Sequence, residues 1–144
     1  GEKGGGGGRE AGVEFPGAIL GAVHAGSHSR GGVGDRDEGL GKAVLVEQGV
    51  AFNYGSAPER CKVIAGVRGI DCRGLNHRQI CARLVEHLIA LKHAMGFHET
   101  LGLHGVRTSD IPFLSQHAMG DPCILTNPRA SSQRDVEVVY GEAL

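Results

Sequence analysis

His24 and His28, in the run His24-Ala25-Gly26-Ser27-His28, are the two residues whose spacing points most directly to chemistry. On a helix, side chains four residues apart project from one side, and imidazole is the commonest metal ligand among side chains. The residues between them are small, so a metal, a cofactor ring or a second helix can come close to the backbone. Glu38 follows within an acidic group that includes Asp35 and Asp37. Two imidazoles and one carboxylate form a donor set that iron or zinc accepts. The spacing alone leaves three readings open. These are metal binding by the His24 and His28 pair, solvated side chains, and a three-ligand hydrolase site of His24, His28 and Glu38, for which no general base is suitably spaced.

The remaining histidines, His77, His87, His93, His98, His104 and His117, share no four-residue spacing and are expected to pack or to face solvent. Cys61, Cys72, Cys81 and Cys123 contain no C-x-x-C pair, so neither a zinc knuckle nor a redox dithiol is written here, and structural thiols are expected.

Several elements must position these groups. Residues 13–23 are small and apolar and suit a closely packed helix leading into His24, although each interior glycine costs about 1 kcal/mol of helix propensity. Residues 31–41, rich in Gly and Asp, are expected to form a solvent-facing loop carrying Glu38, after which residues 42–52 resume an apolar pattern. The clearest helix is 78–95, with Ile80, Leu84, Leu88, Leu91 and Met95 along one face. Asn76 is placed to cap it, with Gln79 as the reciprocal partner and Gly96 as the stop. Thr108 or Ser109 is expected to cap a helix opening at Ile111-Pro112, and Pro122 to end it. Asn127 precedes a proline and is expected to be extended. Ser131 or Ser132 then starts a last helix with Val136, Val139, Tyr140 and Leu144 as its apolar stripe. No strand alternation stands out, so the expected fold class is all-α.

The 144 residues suffice for one domain with a core. With 22% charged residues and a net charge of -1, there is no electrostatic reason to expect nucleic acid or an anionic membrane as partner. No stretch approaches the roughly 18 apolar residues of a membrane span, and the start has no apolar signal region, so the expected location is cytoplasmic. The 25 glycines include a run of five near the start. Residues 1–11 read as a flexible Gly-rich lead or linker, since that run lacks the strand, helix start and Ser or Lys of a phosphate loop. A first residue other than Met suggests a fragment or a processed product.

Longer motifs add a family. Asp121-Pro122-Cys123-Ile124-Leu125-Thr126-Asn127-Pro128-Arg129, preceded by Asp110-Ile111-Pro112, resembles the C-terminal signature of the iron-containing alcohol dehydrogenases. Gly12, Phe15, Leu20, Gly21, Val23, His24 and His28 match an earlier stretch of that family, with Ile19 where glycine is usual. Gly39, Ala43, Leu45, Phe52, Asn53 and Ala57-Pro58-Glu59 continue the match, so the resemblance covers residues 12–144. It implies the helical C-terminal domain of an NAD(P)-dependent oxidoreductase for alcohols and aldehydes, of the broader class that also holds glycerol dehydrogenases and dehydroquinate synthases.

In such enzymes Fe2+ or Zn2+ is held by an Asp and a His from an early motif and by two His from a later one. The resemblance makes His24 the first ligand of the later motif and sets His28 beside the nicotinamide as a catalytic and cofactor-side residue. The second ligand falls fourteen residues after the first, where this chain has Glu38. Lys42 and Glu47 also stand where Asn and Pro are usual, which implies altered chemistry in the cleft. The early motif and the nucleotide-binding domain are not found in this chain. The expectation is a metal-binding helical domain without dehydrogenase activity by itself, prone to self-association or needing a partner domain. The rival is a noncatalytic interaction or structural domain that has lost the metal site.

Overall fold

The computed structural model describes residues 36–144. Among them are five α-helices, α1 (Arg36–Asn53), α2 (Pro58–Val67), α3 (His77–Ala94), α4 (Ile111–Met119) and α5 (Gln133–Glu142), and no strand. Short 3₁₀ turns occupy Thr108–Asp110 and Pro122–Thr126. The described residues are thus all-helical, as the sequence pattern predicts. The helix expected over residues 13–23 lies outside them.

The first correction concerns residues 31–41. From Arg36 onward the chain is helical, so Glu38 sits in the first turn of α1 rather than in a loop. Gly39, Gly41 and Gly49 each weaken the helix by about 1 kcal/mol. Tertiary burial offsets that cost: Val44, Leu45 and Val50 of α1 are almost closed off from water, and a fully buried Val or Leu contributes about 1.5–3 kcal/mol.

Helix α1 is the wall shared by two cores. Val44 and Leu45 join Ile111, Leu114 and Ala118 of α4 and Val136, Val139 and Tyr140 of α5. Val50 instead joins Cys61 of α2 and Cys81 and Leu84 of α3. Tyr140 is enclosed, and burial, then the charge of Asp121, pushes its phenol far above the usual tyrosine range.

The predicted caps hold in part. Asn76 accepts from the Gln79 N–H at 2.9 Å while the Gln79 side chain accepts from the Asn76 N–H at 2.9 Å, closing a reciprocal box at the start of α3. At its other end Gly96 adopts φ 73°, and Phe97 N–H donates to the Lys92 carbonyl at 2.8 Å. That left-handed turn is open to glycine without strain. Met95, expected on the buried face, is 67% exposed because the helix is already turning off the core there.

Neither Thr108 nor Ser109 caps α4. Both lie in the 3₁₀ turn, where Asp110 accepts from the Arg107 N–H at 2.9 Å. Ser132, rather than Ser131, caps α5, accepting from the Asp135 N–H at 3.2 Å while Asp135 accepts from the Ser132 N–H at 2.9 Å.

Candidate functional site

Glu38 is the one candidate ligand whose backbone is described, and α1 is the element that carries it. The first turn of a helix holds partial positive charge, favourable to a carboxylate. The rest of α1 is fastened at three points, which decide how firmly that turn is presented.

The first fastening is Glu47. Its carboxylate oxygens accept from Lys92 Nζ of α3 at 2.7 and 2.8 Å, with both side chains largely shielded from water. The ammonium also lies 5.2 Å from the centre of the Phe97 ring. Such a buried pair gains little net stability over apolar packing, but loss of either partner leaves an uncompensated charge. The carboxylate is therefore spent on the α1–α3 contact. Lys92, missed in the sequence reading, is a cation placed four residues beyond Leu88 on an otherwise apolar stripe, and that placement was its signal.

The second and third fastenings come from the Thr-Asn-Pro-Arg run. Thr126 ends a 3₁₀ turn and residues 127–129 bend, so Asn127 is not part of an extended segment. The local bonds of its side chain explain why: Asn127 Nδ2 donates to the Arg129 carbonyl at 2.7 Å, and Asn127 Oδ1 accepts from buried Asn53 Nδ2 at 3.0 Å. The Arg129 guanidinium lies 4.1 Å over the Phe52 ring, donates to the Phe52 carbonyl at 3.3 Å and reaches Asp135 at 3.5 Å. The motif clasps the end of α1 to the start of α5. Asp135, in turn, is held below the usual carboxylate range by the Ser132 hydroxyl and backbone, with the Arg129 charge as a smaller cause.

His24 and His28 lie outside the described residues. Among the described residues no three His, Cys, Asp or Glu side chains gather to hold a metal. The described histidines have local partners: His77 faces Glu59 at 3.3 Å, His87 accepts from Arg68 at 3.2 Å, His104 faces Glu99 at 3.0 Å, and the His117 ring nitrogen meets the Phe113 carbonyl at 3.0 Å. Lys42 is exposed on α1. Cys61 and Cys81 are buried free thiols, as structural cysteines should be. A cleft of about 500 Å³ between the α1–α2 connection and the Pro122–Thr126 turn is lined by Ala57, Pro58, Glu59, Arg60 and Pro128 and holds no histidine.

Across residues 7–144 the chain matches the model of the Fe-containing alcohol dehydrogenase family, C-terminal. The chain belongs to this family. It is 32% identical over 133 residues to lactaldehyde reductase of Escherichia coli K12, covering 92% of this chain and 35% of that protein. It is 29% identical over 133 residues to 1,3-propanediol dehydrogenase of Klebsiella pneumoniae, covering 92% and 34%. NAD-dependent methanol dehydrogenase of Bacillus methanolicus is 31% identical over 134 residues, with 93% and 35% covered.

The crystal structure of a 1,3-propanediol oxidoreductase superposes with a TM-score of 0.74 at 27% identity, over 86% of this chain and 32% of that one. An alcohol dehydrogenase from Oenococcus oeni shares the fold with a TM-score of 0.76 at 20% identity, over 88% and 32%. The chain spans about a third of the length of these relatives. The match is to the family's C-terminal part, and the chain is all-helical where described. No described helix is long and apolar enough to cross a membrane.

Proposed function

We propose that this domain carries the later half of a metal site in an NAD(P)-dependent oxidoreductase acting on alcohols or aldehydes. The observation that carries the reading is the family match over residues 7–144, supported by a relative whose name states NAD dependence. His24 supplies one imidazole nitrogen and Glu38 one carboxylate oxygen. His28, four residues after His24 in sequence, serves the nicotinamide side or relays a proton from the alcohol. When bound, Fe2+ or Zn2+ would supply Lewis-acid polarisation of the alcohol oxygen.

Glu38 replaces a neutral donor with an anion, so its role is to hold the ion more tightly at some cost to that polarising power. Helix α1, whose first turn carries Glu38, is clamped farther along through Glu47, Phe52 and Asn53. The remaining ligands and the nucleotide fold belong to a further domain, with residues 1–11 as a Gly-rich lead and a cytoplasmic setting. Neither nucleic acid nor membrane is a partner in this reading. Self-association or docking of that further domain covers apolar surface such as Val67, 82% exposed on α2.

Titration calorimetry with Zn2+ or Fe2+ at about pH 7.5, where imidazole is neutral, tests this reading. One-to-one binding lost in both His24→Ala and Glu38→Ala supports it, together with absence of NAD-linked alcohol oxidation by the chain alone. Binding of unchanged affinity and stoichiometry in both variants overturns the ligand assignment. The carboxylate at position 38 favours a second reading, a noncatalytic interaction or structural domain, and absence of any binding selects it.

A further inference from the structure

The turn that closes α3 brings two histidines together that no helical spacing would pair. Gly96 N–H donates to the His93 carbonyl at 2.9 Å and Phe97 N–H to the Lys92 carbonyl at 2.8 Å, so the chain reverses and returns His98 to the last turn of α3. The His93 and His98 rings then lie with centroids 4.7 Å apart and planes inclined by 36°. Both residues are exposed. Unlike His77 and His104, neither is engaged by a carboxylate among the described residues.

Their setting is the carbonyl end of α3, whose partial negative charge favours a cation. The adjoining Lys92 ammonium does not oppose this, because it is turned into the α1–α3 contact and neutralised by Glu47.

We propose that His93 and His98 form a two-imidazole docking site for a divalent transition-metal ion, with Cu2+ preferred over Ni2+ and Zn2+. Metal–imidazole bonds of about 2.0–2.1 Å place the two ligating nitrogens at most about 4.2 Å apart. The ring centroids are 4.7 Å apart, close to that separation, and exposed side chains are free to rotate about χ1 and χ2. The preference for Cu2+ follows the usual affinity order of nitrogen sites. No third His, Cys, Asp or Glu joins them among the described residues, so water completes the coordination and the ion exchanges readily. The site is independent of His24 and Glu38 and does not rest on the role proposed for them.

The test is titration of the full chain with Cu2+ at about pH 7.5, followed by NMR of the histidine side chains, in the parent and in His93→Ala, His98→Ala, His93→Gln and His24→Ala. Whatever happens at His24, the expected result is paramagnetic broadening of His93 and His98 together, with one shared midpoint. Its midpoint should rise about 10- to 100-fold or more in each variant lacking one of those rings and stay unchanged at these two positions in His24→Ala. Circular dichroism of the two His93 variants shows whether α3 persists. Broadening of His93 and His98 with separate midpoints, or equal affinity in a folded His93 or His98 variant, overturns the proposal.

Discussion

Lys92 Nζ donates to both carboxylate oxygens of Glu47, at 2.7 and 2.8 Å, across 45 residues of sequence and at the contact between α1 and α3. The pair ties the helix that carries Glu38 to the helix with the strongest local signals. Lys92→Ala should destabilise the domain by about 3–5 kcal/mol, because a shielded carboxylate is left without its partner. The double variant Lys92→Met with Glu47→Leu should recover most of that loss. Urea unfolding of the three proteins measures it, and a Lys92→Ala midpoint equal to the parent's would refute the pairing.

Asn127→Ala removes the acceptor of buried Asn53 Nδ2 and the donor to the Arg129 carbonyl. A buried amide left unpaired costs about 1–3 kcal/mol. Thermal unfolding should show this loss, with hydrogen exchange accelerating at the end of α1 and the start of α5 together. Faster exchange confined to residues 127–129 would mean that the clasp does not couple the two helices.

Gly102 is constrained by contact. A Cβ there would stand 2.8 Å from the Leu144 backbone oxygen, beside the bond from Leu101 N–H to the Ala143 carbonyl at 2.9 Å. Gly102→Ala should cost about 1–3 kcal/mol through overpacking, while Gly66→Ala, where nothing lies within 4 Å, should be neutral or stabilising. The two midpoints, measured side by side, should move apart, and their coincidence would contradict the close approach.

Asp135 contributes to the acid limb of stability. Its folded pKa is lowered by Ser132, so its contribution is present above the unfolded value of about 3.9 and is lost as pH falls through the folded one. The urea midpoint of the parent should therefore decline below about pH 4 more steeply than that of Asp135→Asn. Parallel acid limbs for the two proteins would remove Ser132–Asp135 as the cause.

Burial raises the Cys61 thiol, while burial and then the nearby Cys61 push Cys81 up to about 11. Little thiolate is present at neutral pH, so both should alkylate slowly, and half-buried Cys72 should react ahead of them. Mass spectrometry after a timed iodoacetamide pulse gives the order. Early labelling of Cys81 would show that the core between α2 and α3 opens often.

Local chemistry explains what the sequence made legible. The Asn76–Gln79 box, the stop at Gly96 and the start at Ser132 each depend on a few neighbouring residues, and each is found where expected. The start of α1 was hidden because glycine-rich composition argues for a loop, and only contacts with distant α4 and α5 outweigh that. The same non-locality concealed the roles of Glu47 and Lys92. For the candidate site, family motifs pointed to His24, His28 and Glu38, but the helical mount of Glu38 emerges only from packing, and the two histidines lie outside the described residues. The neighbouring rings of His93 and His98 depend on a chain reversal, which periodicity does not encode.

The enclosure of Tyr140 makes the last helix its own spectroscopic reporter. The chain has two tyrosines and no tryptophan, so no stronger chromophore masks the phenol. Because Tyr140 resists ionisation while it is packed against α1 and α4, its phenolate absorbance in strong alkali appears only when α5 leaves the core. The ultraviolet spectrum of the unlabelled protein can therefore time the undocking of α5.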